Sequence, residues 1–404
     1  MGKLGCLRKK ENCVLSRTWS ADTKEASPQT TETERGREMK NRKLWLAGVS
    51  ALAALSLVVG PTVSNAAPKV DTITWMSPRG SLDVMDDYML HVAIDQGYFK
   101  KLNINVKLIA GPSDGTAATK FVAQKQVDVS YPSPGILLSS IAAGVPVVSA
   151  FNMIPGQVFN FATPKGSSLK KISQFTGKKI CVGSPAWAAI INPMLVEAGV
   201  DYKSVEIIDA GWPTWSQAIA SGKCDAGLAW DGLIAQWAAT GINVDWIIGK
   251  ETSKQPSNGY DIRASELKTS AGRNLYTRFL RGVAMGMEFA KENPRAAAQI
   301  TYNALPALGA TLSPQIAVDS MREEQVGHMI SRVDGKGWGY HYPAAWADYL
   351  KVVADMGQTP RLLKPAETYT NILIAGANKF DLAAVAKDAK AFKLSPVFEK
   401  VVIK

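Results

Sequence analysis

The same alternation of predicted strands and helices occurs twice along this chain, and this repeat constrains the possible fold more than any other feature of the sequence. Seven short apolar strand patterns alternate with helical stretches, four in a first pass and three in a second. They lie at 72–76, 105–109, 127–131, 145–150, 179–183, 205–208 and 224–230. Such alternation predicts parallel sheets covered by helices. Two units in tandem predict an α/β protein with two lobes.

The remaining chain is expected to complete the first lobe. Residues 260–264 have the pattern of a returning strand, and 271–292 form an amphipathic stretch that Asn293-Pro294 ends. Further helices are predicted near 314–326, 343–356 and 381–391. We therefore predict a discontinuous lobe I, from 67–155 and 258–404 with the C-terminal helices, and a lobe II from 156–257.

The N-terminal region has the features of an export signal. Basic residues at 40–43 precede an apolar run at 44–60, and small residues at 64–67 follow. This order predicts a signal peptide over 39–66, cleaved near Ala66, and hence a periplasmic protein. The run is 17 residues long by this reading and ends at Pro61, which is short for a membrane span of about 20 residues. We expect 1–38 to be a mis-assigned or disordered extension before a start at Met39.

Charge argues against a nucleic-acid partner. The formal net charge is +11, from 46 Lys and Arg against 35 Asp and Glu. Residues 1–66 hold 11 of the basic and 6 of the acidic residues, which leaves 35 against 29 beyond them. No block of like charges occurs in that remainder, so we expect no binding of nucleic acid.

Two cysteines follow the predicted cleavage point, Cys181 and Cys224. In an oxidising compartment they could pair as a disulfide. Each also lies in an apolar strand pattern and could equally be a buried thiol. The sequence leaves both possibilities open.

Candidate ligand-binding residues follow from the predicted sheets. In open α/β sheets the ligand binds outside the carboxyl ends of the strands. The residues at those ends are Ser77, Arg79, Ser113, Tyr131, Ser133, Ser184, Trp187, Trp212, Trp230 and Asp231.

These residue types favour binding of a small polar ligand. Ser77 and Ser184 are expected to precede helices whose free amides can bind an anion, and Arg79 adds a charged donor. Arg79 could instead be a solvated loop charge, the tryptophans could pack within the lobe, and Asp231 could cap a helix rather than hold a ligand N–H.

Two further acidic residues, Asp86 and Asp87, lie near a predicted helix start. Their carboxylates could serve the helix dipole, contact a ligand or act as an acid.

We predict no catalytic residue, metal or cofactor. The chain has no nucleophile elbow, phosphate-binding loop or dinucleotide fingerprint. The three histidines stand at no metal-ligand spacing.

Several short motifs resemble the ABC-transporter solute-binding proteins of the nitrate/sulfonate/taurine and thiamine-precursor group. They share one order and spacing, and they are Gly97-Tyr98-Phe99-Lys100, Val127-Asp128, Gly144-Val145-Pro146-Val147-Val148, Gly222-Lys223-Cys224-Asp225-Ala226, Trp230-Asp231 and Tyr369-Thr370-Asn371. The resemblance spans roughly 72–391. It implies a two-lobed type II periplasmic-binding fold with one ligand between the lobes, and it adds Gly80 to the binding loops.

The resemblance also implies a function. It is capture of a small organic anion, such as a sulfonate, carboxylate or aromatic acid, by hinge closure, followed by delivery to an inner-membrane ABC permease with its ATPase. We expect a monomer that is not an enzyme. The alternatives are a binding protein for an amino-pyrimidine, an enzyme of the thiamine-pyrimidine synthase type on the same fold, and a receptor that feeds a sensor.

Overall fold

The structure of this chain is a computed structural model that describes residues 69–112 and 115–403. The predicted signal peptide, the N-terminal extension and Ser113 lie outside the described residues. Within them, no helix combines the length and the apolar character that crossing a bilayer requires.

The described residues contain nine strands, which form the sheets. They are β1 (Asp71–Met76), β2 (Ile104–Ile109), β3 (Val147–Phe151), β4 (Phe159–Pro164), β5 (Lys179–Val182), β6 (Glu206–Asp209), β7 (Ala226–Trp230), β8 (Val244–Ile247) and β9 (Tyr260–Arg263).

Helices surround these sheets. They are α1 (Tyr88–Asp95), α2 (Tyr98–Lys101), α3 (Gly115–Ala123), α4 (Pro134–Ala142), α5 (Ala188–Glu197), α6 (Trp215–Ala220), α7 (Leu233–Ala239), α8 (Ser270–Glu292), α9 (Pro294–Ala304), α10 (Pro306–Thr311), α11 (Pro314–His328), α12 (Ile330–Val333), α13 (Pro343–Asp355), α14 (Pro365–Thr368), α15 (Ile374–Ala377), α16 (Leu382–Ala391) and α17 (Pro396–Glu399).

One lobe contains two small sheets. Strands β1 and β2 pair in parallel, and β3 pairs antiparallel with β9. The strand predicted near 260 is therefore confirmed, and it joins a strand that precedes it by more than a hundred residues. Trp75, Tyr131 and Tyr260 pack together beside these sheets, with ring centroids 5.2 to 6.4 Å apart.

The strand predicted at 127–131 is reduced to two single bridges, from Val129 to Trp75 and from Ser130 to Asp261. The side chain of Asp128 explains part of this loss. Its carboxylate accepts a hydrogen bond from the backbone N–H of Thr74 at 2.9 Å. In a regular strand pair, a backbone carbonyl of the neighbouring strand would accept that bond. These bridges join the two small sheets into one layer.

The second lobe is built on a five-stranded sheet of order β6-β5-β7-β4-β8. Strands β6, β5 and β7 are parallel, as the alternating pattern predicts, whereas β4 is antiparallel to both β7 and β8. Every strand of this sheet comes from 159–247. The lobe boundaries that the sequence suggests stay a prediction.

Helix α8 forms much of the packing in the first lobe. The side chain of its N-cap residue, Thr269, accepts a hydrogen bond from the backbone of Gly272 at 2.9 Å. The helix buries Phe279, Val283 and Met287 on the stripe that the sequence predicts. It ends before Pro294, which cannot continue the helix and begins α9 instead.

Two crossing segments connect the lobes, and they are hydrogen-bonded to each other. The backbone N–H of Ile154 donates to Asn258, and that of Ser257 donates to Ile154, at 3.0 and 2.9 Å. Gln157 adds side-chain bonds to Ser253 and Ser257, both 3.1 Å. Within the described residues, the chain therefore passes between the lobes through one narrow pair of segments that are hydrogen-bonded to each other.

Cys181 and Cys224 form a disulfide with their Cα atoms 5.7 Å apart. The parallel pairing of β5 with β7 brings them together, because Cys181 opposes Gly227 and Cys224 lies two residues before the start of β7. The sequence leaves open whether these cysteines form a disulfide or stay as buried thiols. The structure contains the disulfide.

Removal of this disulfide should destabilise the second lobe. The bridge spans 43 residues of sequence, and closing a loop of that length stabilises a fold by about 4 kcal/mol in the chain-entropy estimate. We expect the paired change Cys181→Ser with Cys224→Ser to lower the free energy of unfolding by about 2–4 kcal/mol. Urea unfolding followed by circular dichroism measures this, and equal curves for wild type with and without reductant would contradict it.

Candidate ligand-binding site

A cavity of about 60 Å³ lies between the two lobes. Its walls come from the loop after β1, the N-terminus of α4, the crossing segments, and the ends of β7 and α5. Its lining residues are Pro78, Arg79, Asp86, Tyr131, Pro132, Ser133, Ile136, Ile154, Val158, Phe159, Trp187, Ile190, Leu228, Trp230, Asn258 and Glu324. Pockets for organic ligands usually measure roughly 300–1,000 Å³, so this cavity is small for one, and the lobes touch directly beside it, as at Trp230 and Asp86.

The loop after β1 is folded inward by a buried ion cluster. Arg79 Nη2 bonds to the carboxylate of Asp87, and its Nη1 lies 3.6 Å from Asp86 Oδ2. All three side chains are at least nine-tenths buried. Helix α1 therefore begins only at Tyr88, and neither Asp86 nor Asp87 caps it, because both carboxylates pair with Arg79.

The same loop is pinned to the end of β2. The backbone N–H of Ser77 donates to Ile109, and that of Gly111 donates to Arg79, both at 3.0 Å. A side chain at residue 111 would overlap the carbonyl oxygen of Ser77, so this approach requires glycine. The arginine is thus fixed by the backbone on one side and by carboxylates on the other.

Asp86 connects the lobes. Its Oδ2 accepts a hydrogen bond at 2.8 Å from the indole N–H of Trp230, at the end of β7. Burial raises the pKa of Asp86 to about 6, and the neighbouring Arg79 opposes that rise. A change in the position of either lobe therefore changes the environment of this carboxyl.

Glu324 in α11 is the second carboxyl at this junction. Its Oε2 accepts from the backbone N–H of Gly232 at 3.4 Å. Burial raises its pKa well above the usual value, and the negative charges of Asp86 and Asp231 add to that rise. Burial also lowers the pKa of His328, which lies 3.7 Å from Glu324, to about 3. The imidazole of His328 is therefore uncharged near neutral pH, and burial favours the protonated form of Glu324.

Helix α11 makes further contacts to the start of α7. Glu323 accepts from the backbone N–H of Ala235 at 3.1 Å, and Ser320 donates to the carbonyl of Gly232 at 2.6 Å. Gln236 donates to Ser320 at 2.7 Å. These bonds hold the second lobe against a helix that follows it in sequence by about eighty residues.

Tryptophans form one wall of the cavity. The rings of Trp187 and Trp230 meet edge to face with centroids 6.1 Å apart. Behind Trp230, the rings of Trp212 and Trp215 are stacked at 4.6 Å. Trp212 therefore supports the wall without lining it, which agrees with the packing alternative for this residue.

The structure brings five of the predicted site residues to the cavity and leaves five outside its lining. Those that line it are Arg79, Tyr131, Ser133, Trp187 and Trp230, and those outside are Ser77, Gly80, Ser184, Trp212 and Asp231. Asp231 accepts from Asn160 at 2.8 Å and faces a second cavity of about 250 Å³ beside Lys250. A ligand role for each of the ten stays a prediction.

Ser77 and Ser184 are both predicted to precede a helix, but only Ser184 does. Ser77 precedes no helix, because the loop to Tyr88 intervenes, and its hydroxyl accepts from the backbone of Arg79 at 3.1 Å. Ser184 does cap a single 3₁₀ turn that leads into α5, by accepting from Ala186 at 3.3 Å. The expectation that a helix follows the serine directly is therefore wrong for Ser77, whereas anion binding at either serine stays a prediction.

Sequence reasoning did not find Glu324 or Asn258. A signal for Glu324 exists, because it lies on the buried face of α11 together with Val318, Met321 and His328. A carboxylate at an apolar helix position is rarely buried without a partner, and that exception marks a site. Asn258 follows from no local pattern, since only the crossing of the two connecting segments brings it to Tyr131.

Among the described residues, the lining of this cavity lacks three side-chain types that are common in catalytic and metal sites. The described residues that line it include no lysine, histidine or cysteine. Across 69–112 and 115–403, no group of three or more His, Cys, Asp or Glu is placed to hold a metal ion.

Comparison with known proteins identifies the family and the fold. The model of the NMT1/THI5-like family matches residues 86–297, which is just over half of the chain. A search of curated protein sequences found no match.

Several solved structures share the architecture. The alkanesulfonate-binding protein SsuA from Xanthomonas axonopodis pv. citri, bound to MOPS, is 12% identical with a TM-score of 0.56, over 77% of this chain and 99% of that one. The aliphatic sulphonate-binding protein SsuA from Escherichia coli is 11% identical with a TM-score of 0.55, over 74% and 92%.

An enzyme structure is similar as well. A mutant of DszB in complex with biphenyl-2-sulfinic acid is 13% identical with a TM-score of 0.52, over 77% of this chain and 100% of that one. These similarities establish the two-lobed type II periplasmic-binding fold that the sequence predicts.

The buried carboxyl of Glu324 should make stability depend on pH in a specific direction. Its pKa is higher in the folded than in the unfolded chain, so folding retains a proton that unfolding releases. This contribution is complete below the ordinary pKa of 4.5 and is lost as the pH rises toward the folded value. A Glu324→Gln variant cannot titrate at this position. We therefore expect the melting temperature of the variant, relative to that of wild type, to rise by several degrees as the pH increases from 5 to 8.

Scanning calorimetry across that pH range measures the difference. The exposed change Glu206→Gln is the matched control and should give a curve parallel to wild type. Parallel curves for wild type and Glu324→Gln would show that the carboxyl titrates normally in the folded protein.

Proposed function

This chain belongs to the NMT1/THI5-like family, and we propose that it is the periplasmic solute-binding component of an ABC importer. It would capture a small ligand between its lobes and deliver it to an inner-membrane permease with its ATPase. The chain would act as a monomer without catalytic turnover.

The observation that carries this proposal is a cavity enclosed by both lobes. On one rim, Gly135 of α4 packs against the carbonyl of Ala189 at the start of α5. On the other, Gly232 packs against Asp86 and Glu324. Within the described residues, the chain passes between the lobes in the two hydrogen-bonded segments near Ile154 and Asn258, and this geometry suits a hinge motion that opens and closes the cavity.

Export to the periplasm agrees with two features of the chain. The pattern at 39–66 is that of a cleaved signal peptide. The disulfide between Cys181 and Cys224 is typical of proteins that fold in an oxidising compartment. Cleavage near Ala66 would release the whole of the described fold.

The sequence suggests two classes of ligand, a small organic anion and an amino-pyrimidine. A small organic anion would need the charge of Arg79, yet Asp86 and Asp87 both engage that guanidinium, and only its Nε lacks a partner among the described residues. An amino-pyrimidine would use Asp86, which lines the cavity, and Asp231, which does not. The geometry thus gives the anion the weaker support.

An enzyme on this scaffold is the second candidate, and the similarity to DszB favours it. The alternative of the thiamine-pyrimidine synthase type depends on a cofactor lysine and a reactive histidine in the cleft. Product analysis separates the two functions, because a receptor releases its ligand unchanged.

A thermal-shift screen tests the receptor function. The library contains small anions, aromatic acids, sulfonates, pyrimidines and amines. A ligand that binds only the folded state, at a hundred times its dissociation constant, stabilises it by about 2.7 kcal/mol. We expect at least one saturable hit that mass spectrometry recovers unchanged. Hits that are converted to product would favour the enzyme.

Closure itself can be tested at Gly232. A methyl group there would overlap Asp86 Oδ1, so Gly232→Ala should hold the lobes apart. We expect it to weaken any hit from the screen by at least tenfold, which is about 1.4 kcal/mol. X-ray scattering should show a larger radius of gyration for the variant with ligand than for wild type with ligand.

The matched control is Gly309→Ala in α10. Its added methyl group would meet nothing nearer than the ring of Tyr302 at 3.4 Å. This variant should bind like wild type. Equal affinity for Gly232→Ala would mean that closure against Asp86 plays no part in binding.

A further inference from the structure

We infer that the ligand of the interlobe cavity is a small organic cation, namely an ammonium group with at least one N–H on an apolar body. The inference rests on the proposed receptor function and names its ligand class. It follows from the charges, the unpartnered atoms and the aromatic rings around the cavity.

Charge is the first argument. Of the described residues that line the cavity, Arg79 is the one basic side chain, against Asp86 and Glu324. The charge of Arg79 is already shared with Asp87, which lies behind it. The buried acidic groups therefore outnumber the buried basic ones. An ionised carboxylate buried without a partner is unfavourable, which is why burial raises the pKa values of Asp86 and Glu324, and a ligand cation beside them would favour their charged forms.

Unpartnered acceptors are the second argument. Asp86 Oδ1, Asn258 Oδ1 and the Tyr131 hydroxyl are buried and lack a hydrogen-bond partner among the described residues. All three residues line the cavity. Two of these atoms are acceptors only, and the hydroxyl can also accept. An ammonium group supplies up to three donors, whereas a sulfonate or carboxylate supplies none.

The aromatic wall is the third argument. Trp187, Trp230 and Tyr131 line the same cavity as the two carboxyls. The faces of such rings attract cations, most strongly where water is excluded. Their faces do not attract anions in this way.

The apolar remainder of the lining limits the ligand to one charged group. Ile136, Ile154, Val158, Ile190 and Leu228 also line the cavity. None of them can bond to a second polar group. The ligand's body is therefore apolar, and its ammonium group lies toward Asp86 and Glu324.

A set of probes that share one body and differ in charge tests this inference. Benzylamine, benzyl alcohol and phenylmethanesulfonate carry a positive, neutral and negative group on the same ring. Isothermal titration of the purified protein should show benzylamine binding at least tenfold more tightly than either of the others. Piperidine should likewise bind more tightly than 1,1-dimethylpiperidinium, which has no N–H.

Variants test whether the carboxyl groups of Asp86 and Glu324 cause the preference for benzylamine. Glu324→Gln and Asp86→Asn should each reduce the affinity for benzylamine at least tenfold. Glu206→Gln, on an exposed strand residue, should leave it unchanged. Because Asp86→Asn removes a partner of Arg79 and could unfold the loop, Glu324→Gln is the decisive variant, and its folding is checked by circular dichroism.

Three results would overturn the inference. They are tighter binding of phenylmethanesulfonate than of benzylamine, equal binding of all three probes, and no binding of benzylamine at millimolar concentration. In each case, an unchanged ligand from the thermal-shift screen that closes the lobes would leave the receptor function intact. A converted ligand would overturn the receptor function separately.

Discussion

The buried cluster of Arg79 with Asp86 and Asp87 is the interaction on which the site depends. It folds the loop after β1 inward, delays the start of α1 to Tyr88, and presents one carboxyl to the opposite lobe. Burying three charges is unfavourable unless each finds partners. One arginine cannot satisfy two carboxylates completely, so the cluster retains unpartnered oxygens at the place where the lobes meet.

The closed arrangement is completed by helix α11, which contacts the second lobe although it follows that lobe in sequence. Glu323, Glu324 and Ser320 all bond to the first turn of α7 or to the residue before it. Acidic groups at a helix N-terminus interact favourably with its free N–H groups. Closure therefore joins carboxyl groups, backbone donors and the cavity wall in one network, in which the protonation of Glu324 depends on the position of the lobes.

Local sequence patterns predicted most of the elements, because a strand or an amphipathic helix is defined by neighbours in the chain. Helix α8, with its buried stripe and its end at Pro294, is a clear example. The failures occur where a side chain replaces a backbone partner. At 127–131, the side chain of Asp128 accepts the bond that a backbone carbonyl would accept in a regular strand pair. Near the start of α1, Asp86 and Asp87 pair with Arg79 and do not cap the helix.

The sequence by itself determined the doubled α/β layout and the loops that follow the strands, since both depend on periodicity and on the direction of parallel strands. It also placed Arg79, Tyr131, Ser133, Trp187 and Trp230 near a common site. Only the tertiary structure decided the electrostatic character of that site. Glu324 and Asn258 reach it from distant parts of the chain, and the charge available to a ligand depends on which buried groups have already paired.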